Sequence, residues 1–136
     1  MLQLDINAGN PGILFYPPRG RIPAMKKFFM NLHPAPFASI ESGKKDVEMR
    51  LATPERLEIQ VGDLIVFTNR EDGRQLVKKV AFCRKYPSFA ELYADFDKTR
   101  IGYEPDENPD PSDMLLYYKQ EDIDRYGALA IGLEKA

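Results

Sequence analysis

Residues 43–51, GKKDVEMRL, join a predicted helix to a predicted strand and carry most of the candidate chemistry of the chain. Residues 34–42 are predicted to be helical, because a proline in the first turn costs little and Phe37 and Ile40 fall at i and i+3. Gly43 follows, and glycine readily adopts the left-handed conformation that ends helices. Beyond Gly43 the apolar period changes to two, which predicts a strand.

The alternation of this strand places Glu48 and Arg50 on one face, where they can form an ion pair or converge on one ligand. Lys45 is three residues from Glu48 and would point the other way in a regular strand. It joins the pair only if it lies in the turn after Gly43, where the pleat does not fix its direction. The alternative interpretation is a solvated face on a half-exposed strand.

The pattern Gly43-x-Lys45-x-x-Glu48-x-Arg50 resembles the G-x-K-x-x-E-x-R signature of the ASCH domain, a small β-barrel family similar to PUA domains. Other segments resemble that family in the same order along the chain: 33–37 (HPAPF), 61–67 (VGDLIVF), 88–93 (SFAELY), 113–118 (DMLLYY) and 126–127 (YG). The resemblance implies an α+β fold, with a small, mostly antiparallel β-barrel and peripheral helices.

Residues 1–24 fall outside this resemblance and are predicted to be an N-terminal extension of an ASCH domain that spans residues 25–136. The segment holds four of the eleven prolines and three of the nine glycines, without a sustained apolar period. A functional arm or a swapped segment is the alternative interpretation.

Short apolar segments separated by turns predict the remaining strands of the barrel. The predicted strands are 26–32, 64–68, 75–84 and 128–133, and the predicted helical segments are a helix capped by Ser88, 114–118 and 121–126. The first strand is expected to bury Phe28, Phe29, Met30 and Leu32.

The composition disfavours several kinds of site. The lone Cys83 excludes an internal disulfide and a cysteine-rich zinc site. The single His33 disfavours a histidine-based metal site or a serine–histidine triad, so neither a metal nor another cofactor is predicted. No apolar run approaches the length of a membrane span and no signal-peptide pattern is present, which predicts a cytoplasmic protein without a membrane partner.

Charge is distributed unevenly along the chain, whose net charge is −2. Residues 26–85 carry twelve basic and eight acidic side chains, whereas residues 86–136 carry five basic and twelve acidic ones. An anionic partner is therefore expected to meet the middle third of the chain. The small net charge predicts a short RNA footprint with a shallow salt dependence.

The resemblance implies binding of RNA, a nucleotide or a nucleoside in a cleft around the motif. Arg50 offers a planar fork for a phosphate or a base edge, and Lys45 offers a point charge. Glu48 can accept a hydrogen bond from an exocyclic amine or hold Arg50 in place. Tyr117 or Tyr118 could stack on an unpaired base, and core packing is the alternative role for each.

Two other functions remain open at the level of sequence. One branch of the family resembles amidohydrolases of N4-acylated cytidine, which implies catalytic roles for Lys45 and Glu48. Glu48 stands where that branch has threonine, so the nucleophilic hydroxyl is missing. Glu91 is a possible glutamate partner, although a role in capping its helix explains it equally well. A water-based variant that uses Lys45 and Glu48 remains open. The third possibility is a non-catalytic protein-interaction module that uses the acidic loop at 104–113.

Overall fold

A computed structural model of the protein describes residues 24–136 and, before them, the backbone of two short strands, β1 (Asp5–Ile6) and β2 (Ile13–Leu14). β1 pairs with β2, and β2 pairs in turn with Arg84 and Lys85 of a later strand. The rest of residues 1–23 lies outside the described residues. The assignment of residues 1–24 as an extension of the domain stays a prediction.

Five strands and three α-helices form the body of residues 24–136. In chain order they are β3 (Lys27–Leu32), α1 (Pro34–Glu41), β4 (Val47–Leu51), β5 (Leu64–Asn69), β6 (Gln75–Tyr86), α2 (Phe89–Asp95), α3 (Gln120–Tyr126) and β7 (Ala128–Lys135). Two short 3-10 helices, Arg56–Glu58 and Pro111–Leu116, lie in the connections. The helices predicted after His33 and Ser88 and the predicted strands are confirmed to within a few residues.

The sheet has the strand order β3-β5-β6-β7-β4. Every pair in it is antiparallel except β3 and β5, which run parallel from Lys27↔Leu64 to Leu32↔Asn69. Between them the chain passes through α1, β4 and a 3-10 helix, and a crossover of this length allows a parallel return.

The α+β class is confirmed, and the sheet is mostly antiparallel as predicted, but the prediction of a barrel is wrong because the sheet does not close. Among the described strands, β3 and β4 each have a single partner and do not pair with each other. The sheet is therefore a half-barrel that is open between these two edge strands.

Two apolar clusters lie on opposite faces of the sheet and bury both faces of its strand β7. Leu129 and Ile131 of β7 belong to one cluster, and Ala128 and Ala130 belong to the other. α1 packs in the first cluster, and α2 and α3 pack in the second. On β4 the apolar residues of the motif face the second cluster, which leaves the charged residues for the opposite face.

Phe29 was expected to be buried, and this prediction is wrong, since 71% of the residue is exposed. β3 is an edge strand with alternating burial, and Met30 and Leu32 occupy its covered face. Alternation therefore directs Phe29 and Asn31 to the uncovered side of the strand.

The turn before β5 is held by a buried carboxylate. Asp63 accepts hydrogen bonds from the backbone N–H groups of Lys26 at 3.0 Å and Gln60 at 2.8 Å. Gly62 precedes it with a φ of +93°, a conformation that favours glycine. These contacts fix the start of β5 against the start of β3, which sets the register of the parallel pair.

Within the described residues, no helix is long and apolar enough to cross a lipid bilayer. That part of the chain also has no group of three or more histidine, cysteine or acidic side chains arranged to hold a metal ion. Cys83 is buried, and burial raises the pKa of its thiol to about 12, which keeps it protonated and unreactive.

Candidate ligand-binding site

The candidate site lies at the gap between the two edge strands of the half-barrel. Arg50 of β4 reaches across this gap, where its Nη2 donates a hydrogen bond to the backbone oxygen of Asn31 on β3 at 3.2 Å. The contact uses an acceptor on an edge strand, where backbone groups are free of a sheet partner. A side chain of the motif thus links two strands that are not paired by backbone hydrogen bonds.

Lys45, Glu48 and Arg50 form a buried ion-paired network, which we call the motif cluster. The Glu48 Oε1 atom is 2.7 Å from Lys45 Nζ, and Oε2 lies 2.7 Å from Arg50 Nη2 and 2.8 Å from Arg50 Nε. Glu48 is 3% exposed and Lys45 is 8% exposed. The motif is therefore not a solvated strand face, and each carboxylate oxygen is engaged by a cation.

Backbone hydrogen bonds place Lys45 in the turn before β4, which is the position that the parity of the strand requires. Gly43 adopts a φ of +85° and the N–H of Lys45 donates to the backbone oxygen of Ser39 at 3.0 Å. The N–H of Val47 then donates to the backbone oxygen of Arg100 at 3.0 Å, which fixes the beginning of the strand. Because Lys45 precedes the pleated segment, its side chain can turn toward Glu48.

Gly102 borders the hydrocarbon chain of Lys45 and has a φ of +110°. A Cβ atom at this position would lie 3.3 Å from Lys45 Cδ, closer than an ordinary contact. The glycine therefore leaves room for the buried lysine. Sequence reasoning missed it, since nothing in the local pattern connects residue 102 to residue 45.

The electrostatics of Glu48 result from opposing effects. Burial alone would raise the pKa of its carboxyl, but the charges and hydrogen bonds of Lys45 and Arg50 outweigh burial and hold the pKa below its ordinary value. The carboxylate is thus ionised at neutral pH, and the motif cluster carries a net charge of about +1.

The motif cluster borders a cavity of about 850 Å³. The end of β3 and the loop that follows it contribute Asn31, Leu32 and His33. Two further arginines, Arg56 and Arg70, line the cavity, and three acidic residues line it as well: Glu104, Glu107 and Asp113. The wall therefore contains both basic and acidic groups around a buried floor.

Both predicted stacking residues line the cavity, but their rings differ in accessibility. Tyr118 is partly buried and its ring stacks on Phe89 with centroids 6.0 Å apart and an interplanar angle of 3°. Tyr117 is 62% exposed. Tyr118 is thus committed to packing on one face, whereas Tyr117 has an accessible ring.

A chain of hydrogen bonds in the cavity wall was not predicted from sequence. Tyr103 donates to Asp113 Oδ2 at 2.7 Å, so its hydroxyl oxygen accepts from the Tyr93 hydroxyl at 2.9 Å. Burial raises the pKa of both tyrosines, which therefore remain neutral phenols. The three residues tie the loop after residue 103 to α2, and their separation in sequence hides them from motif analysis.

Neither Glu91 nor the single histidine, His33, joins the motif cluster. Glu91 is not among the cavity-lining residues, and its Oε2 accepts a hydrogen bond from the Ser88 hydroxyl at 2.6 Å. His33 lines the cavity but precedes α1 without capping it through its side chain.

The sequence model of the ASCH domain family matches residues 30–136, which is most of the chain. The chain belongs to the ASCH domain family. A crystal structure of a hypothetical protein, PH0355, is similar to this ASCH domain with a TM-score of 0.68 and 29% identity, covering 81% of this chain and 99% of that one. A solution NMR structure of protein PF0455 from Pyrococcus furiosus has a TM-score of 0.62 and 27% identity, covering 79% and 96%.

No protein with a curated description matches this ASCH domain. The names of the two solved structures state no activity, so they bear on its fold and not on its ligand.

Glu48→Gln is expected to destabilise the ASCH domain by roughly 3 kcal/mol at neutral pH, because it leaves two cations without their carboxylate. This value is the lower end of the range that holds when one partner of a buried ion pair is removed, because the Arg50 side chain retains 15% exposure. Because the folded-state pKa of Glu48 is lowered, its stabilisation is complete above the ordinary value of 4.5 and is lost as the pH falls through the lower folded value. Urea unfolding of both proteins from pH 7 to pH 3 measures this difference.

Asp46→Asn is the matched control, because Asp46 pairs with Arg100 at 2.8 Å in a half-exposed position of the same motif. Its loss should cost less than about 1 kcal/mol. Equal effects of the two substitutions, or an effect of Glu48→Gln that does not shrink in acid, would contradict the buried ion-paired network.

Gly102→Ala is expected to displace Lys45 and to destabilise the domain by about 1–2 kcal/mol through backbone strain. Gly73→Ala is the control, since Gly73 has a φ of +75° but an added Cβ would meet nothing within 4 Å. Both variants should lose stability, whereas only Gly102→Ala should shift the NMR resonances of the Lys45 side chain. Unchanged Lys45 resonances in Gly102→Ala would show that the glycine does not shape the site.

Proposed function

We propose that this ASCH domain binds a nucleotide, or a single nucleotide of a small RNA element, in the cavity above the motif cluster. The observation that carries the proposal is a buried, ion-paired floor that faces a cavity of about 850 Å³. This volume lies in the range of small-molecule sites. Buried polar groups that are already held in place can orient a ligand at little conformational cost.

The motif cluster retains hydrogen-bonding capacity after its internal contacts are made. Arg50 uses Nε and Nη2, and no hydrogen bond to a described residue uses its Nη1. Lys45 has three donors, of which its contact with Glu48 requires one. The floor therefore offers mainly donors, with limited acceptor capacity left on Glu48, and this combination suits a base edge with carbonyl groups or a phosphate.

Tyr117 supplies the apolar part of the proposed site. Its exposed ring at the cavity rim can stack on a base, and stacking accepts any base because every base has a π-face. Leu116 lies beside it on the same rim and is also exposed. An exposed aromatic ring and a charged cluster that line one cavity suit recognition of an unpaired base, which can stack on the ring and form polar contacts along its edge.

Amidohydrolase activity is less well supported by the same geometry. Lys45 Nζ is held in an ion pair with Glu48 at 2.7 Å, so the amine that a general base would need free is already engaged by a carboxylate. Glu48 carries no hydroxyl nucleophile, and Glu91 does not line the cavity. We therefore propose that Lys45 and Glu48 bind ligand and do not carry a reaction.

A role as a protein-interaction module finds less support because the acidic loop uses several of its carboxylates internally. Glu104 pairs with Lys44 at 2.6 Å, and Asp113 accepts from Tyr103. Carboxylates that are engaged in this way have less capacity for a basic partner.

NMR titration of the protein with nucleosides, nucleoside monophosphates, N4-acylated cytidines and short single-stranded RNAs tests the proposed function. We expect backbone shifts that cluster at residues 43–50 and around Tyr117, without product formation. Turnover of an acylated cytidine that Lys45→Ala abolishes would establish the amidohydrolase instead. The absence of shifts across the whole panel would contradict nucleotide binding and favour a protein partner.

Tyr117→Ala is expected to weaken binding of the best ligand of that panel about tenfold, since stacking on one base contributes roughly 1–3 kcal/mol. Leu115→Ala is the matched control, because Leu115 is exposed on the 3-10 helix that Tyr117 follows but does not line the cavity. Calorimetric titration should give an unchanged affinity for the control. Equal affinities of the two variants would rule out stacking on Tyr117.

A further inference from the structure

We propose that a groove beside the cavity binds the phosphodiester and the adjacent base of a single-stranded RNA, one nucleotide of which occupies the cavity. This inference rests on the proposed function and extends its ligand from a nucleotide to a strand. The groove has a volume of about 310 Å³. We call it the arginine groove, and the lining residues that matter to the argument are Phe29, Asn31, Arg50, Arg56 and Arg70.

The arginine groove adjoins the cavity. Asn31 and three arginines, Arg50, Arg56 and Arg70, line both spaces. A polymer that leaves the cavity on this side must therefore pass the three guanidinium groups. Guanidinium groups are suited to phosphate oxygens because their donors form a planar fork.

The fold brings these arginines together from separate segments. Arg70 follows β5, and its backbone N–H donates to the oxygen of Leu32 at the end of β3 at 2.9 Å. Arg56 begins a 3-10 helix, and its Nη1 donates to the oxygen of Leu51 at the end of β4 at 3.3 Å. Both are anchored beside the gap that Arg50 crosses, so their proximity follows from the open half-barrel.

The groove carries an excess of positive charge. Arg50 is paired with Glu48, but neither Arg56 nor Arg70 forms an ion pair with a carboxylate among the residues that the structure describes. Among the described residues that line the groove, Glu55 has the one acidic side chain. An anion is therefore attracted to this region.

The acidic residues that line the cavity increase the contrast with the groove. Glu104, Glu107 and Asp113 border the cavity but not the arginine groove. A ligand with a neutral base and an anionic phosphate gains most when its phosphate lies toward the arginines. The charge pattern thus predicts the direction in which a strand leaves the cavity.

Phe29 provides a platform for the adjacent base. It is 71% exposed and lies on the same side of β3 as Asn31, which borders both spaces. An exposed aromatic ring next to unpaired arginines is the combination by which proteins hold single strands, through stacking and phosphate contacts. A role in stacking would account for a phenylalanine that is exposed on an edge strand and does not pack in the core.

Calorimetric titration with two matched probes tests the inference. The probes are RNA dinucleoside monophosphates and their methylphosphonate analogues, in which the linkage is neutral but the bases are the same. The wild-type protein is expected to bind the phosphodiester about tenfold more tightly, as a charge-assisted contact predicts. The double variant R56Q/R70Q should abolish this preference, so that it binds the phosphodiester and the methylphosphonate with equal affinity.

The matched control is K78Q/K79Q, which removes the same charge from residues of β6 that do not line the groove. It should retain the preference for the phosphodiester. Phe29→Ala should weaken binding of the dinucleoside monophosphate but not of the nucleoside. The salt dependence for the phosphodiester should be shallow, with a slope of about −0.7 for one neutralised phosphate.

Two outcomes would overturn the inference and leave the proposed function intact when the wild-type protein binds the nucleoside. The first is equal wild-type affinity for the two linkages. The second is an equal loss of affinity for the phosphodiester in R56Q/R70Q and in K78Q/K79Q. The absence of nucleoside, nucleotide and dinucleotide binding by the wild-type protein would overturn both.

Discussion

A buried carboxylate between two cations is the interaction on which the candidate site depends. Desolvation of Glu48 is unfavourable by itself, and the attraction of Lys45 and Arg50 offsets it only because both contacts are short. The same arrangement positions Arg50 to reach Asn31 across the gap between the edge strands. One ion-paired network therefore organises the floor of the cavity and bridges the half-barrel at its open side.

The open half-barrel explains why a cavity forms beside the motif. A closed sheet would pair β3 with β4 through their backbones and leave side chains there to fill the interior. In this chain β3 pairs with β5 and β4 pairs with β7, and the gap stays open because β3 and β4 do not pair with each other. Side chains from β4 and from the segments that follow β3, β4 and β5 converge on it, and this convergence gathers the basic groups.

Sequence patterns predicted what depends on local geometry, and long-range pairing decided the rest. The turn that directs Lys45 toward Glu48 follows from a glycine and strand parity, both of which are readable in nine residues. The exposure of Phe29 could not be predicted, because it depends on β3 being an edge strand. The position of Arg70 and the hydrogen bond from Tyr103 to Asp113 join separate segments, and no local periodicity encodes them.

The proposed function depends on direct contact between the motif cluster and the ligand. Side-chain nitrogen NMR of Lys45 and Arg50 tests it, with Arg100 as an internal reference because its ion pair lies outside the cavity lining. Saturation with the tightest-binding nucleotide is predicted to shift the Lys45 Nζ and Arg50 guanidinium resonances and to leave those of Arg100 unchanged. Saturable binding that moves neither Lys45 nor Arg50 would contradict the account, because the ligand would then occupy another surface.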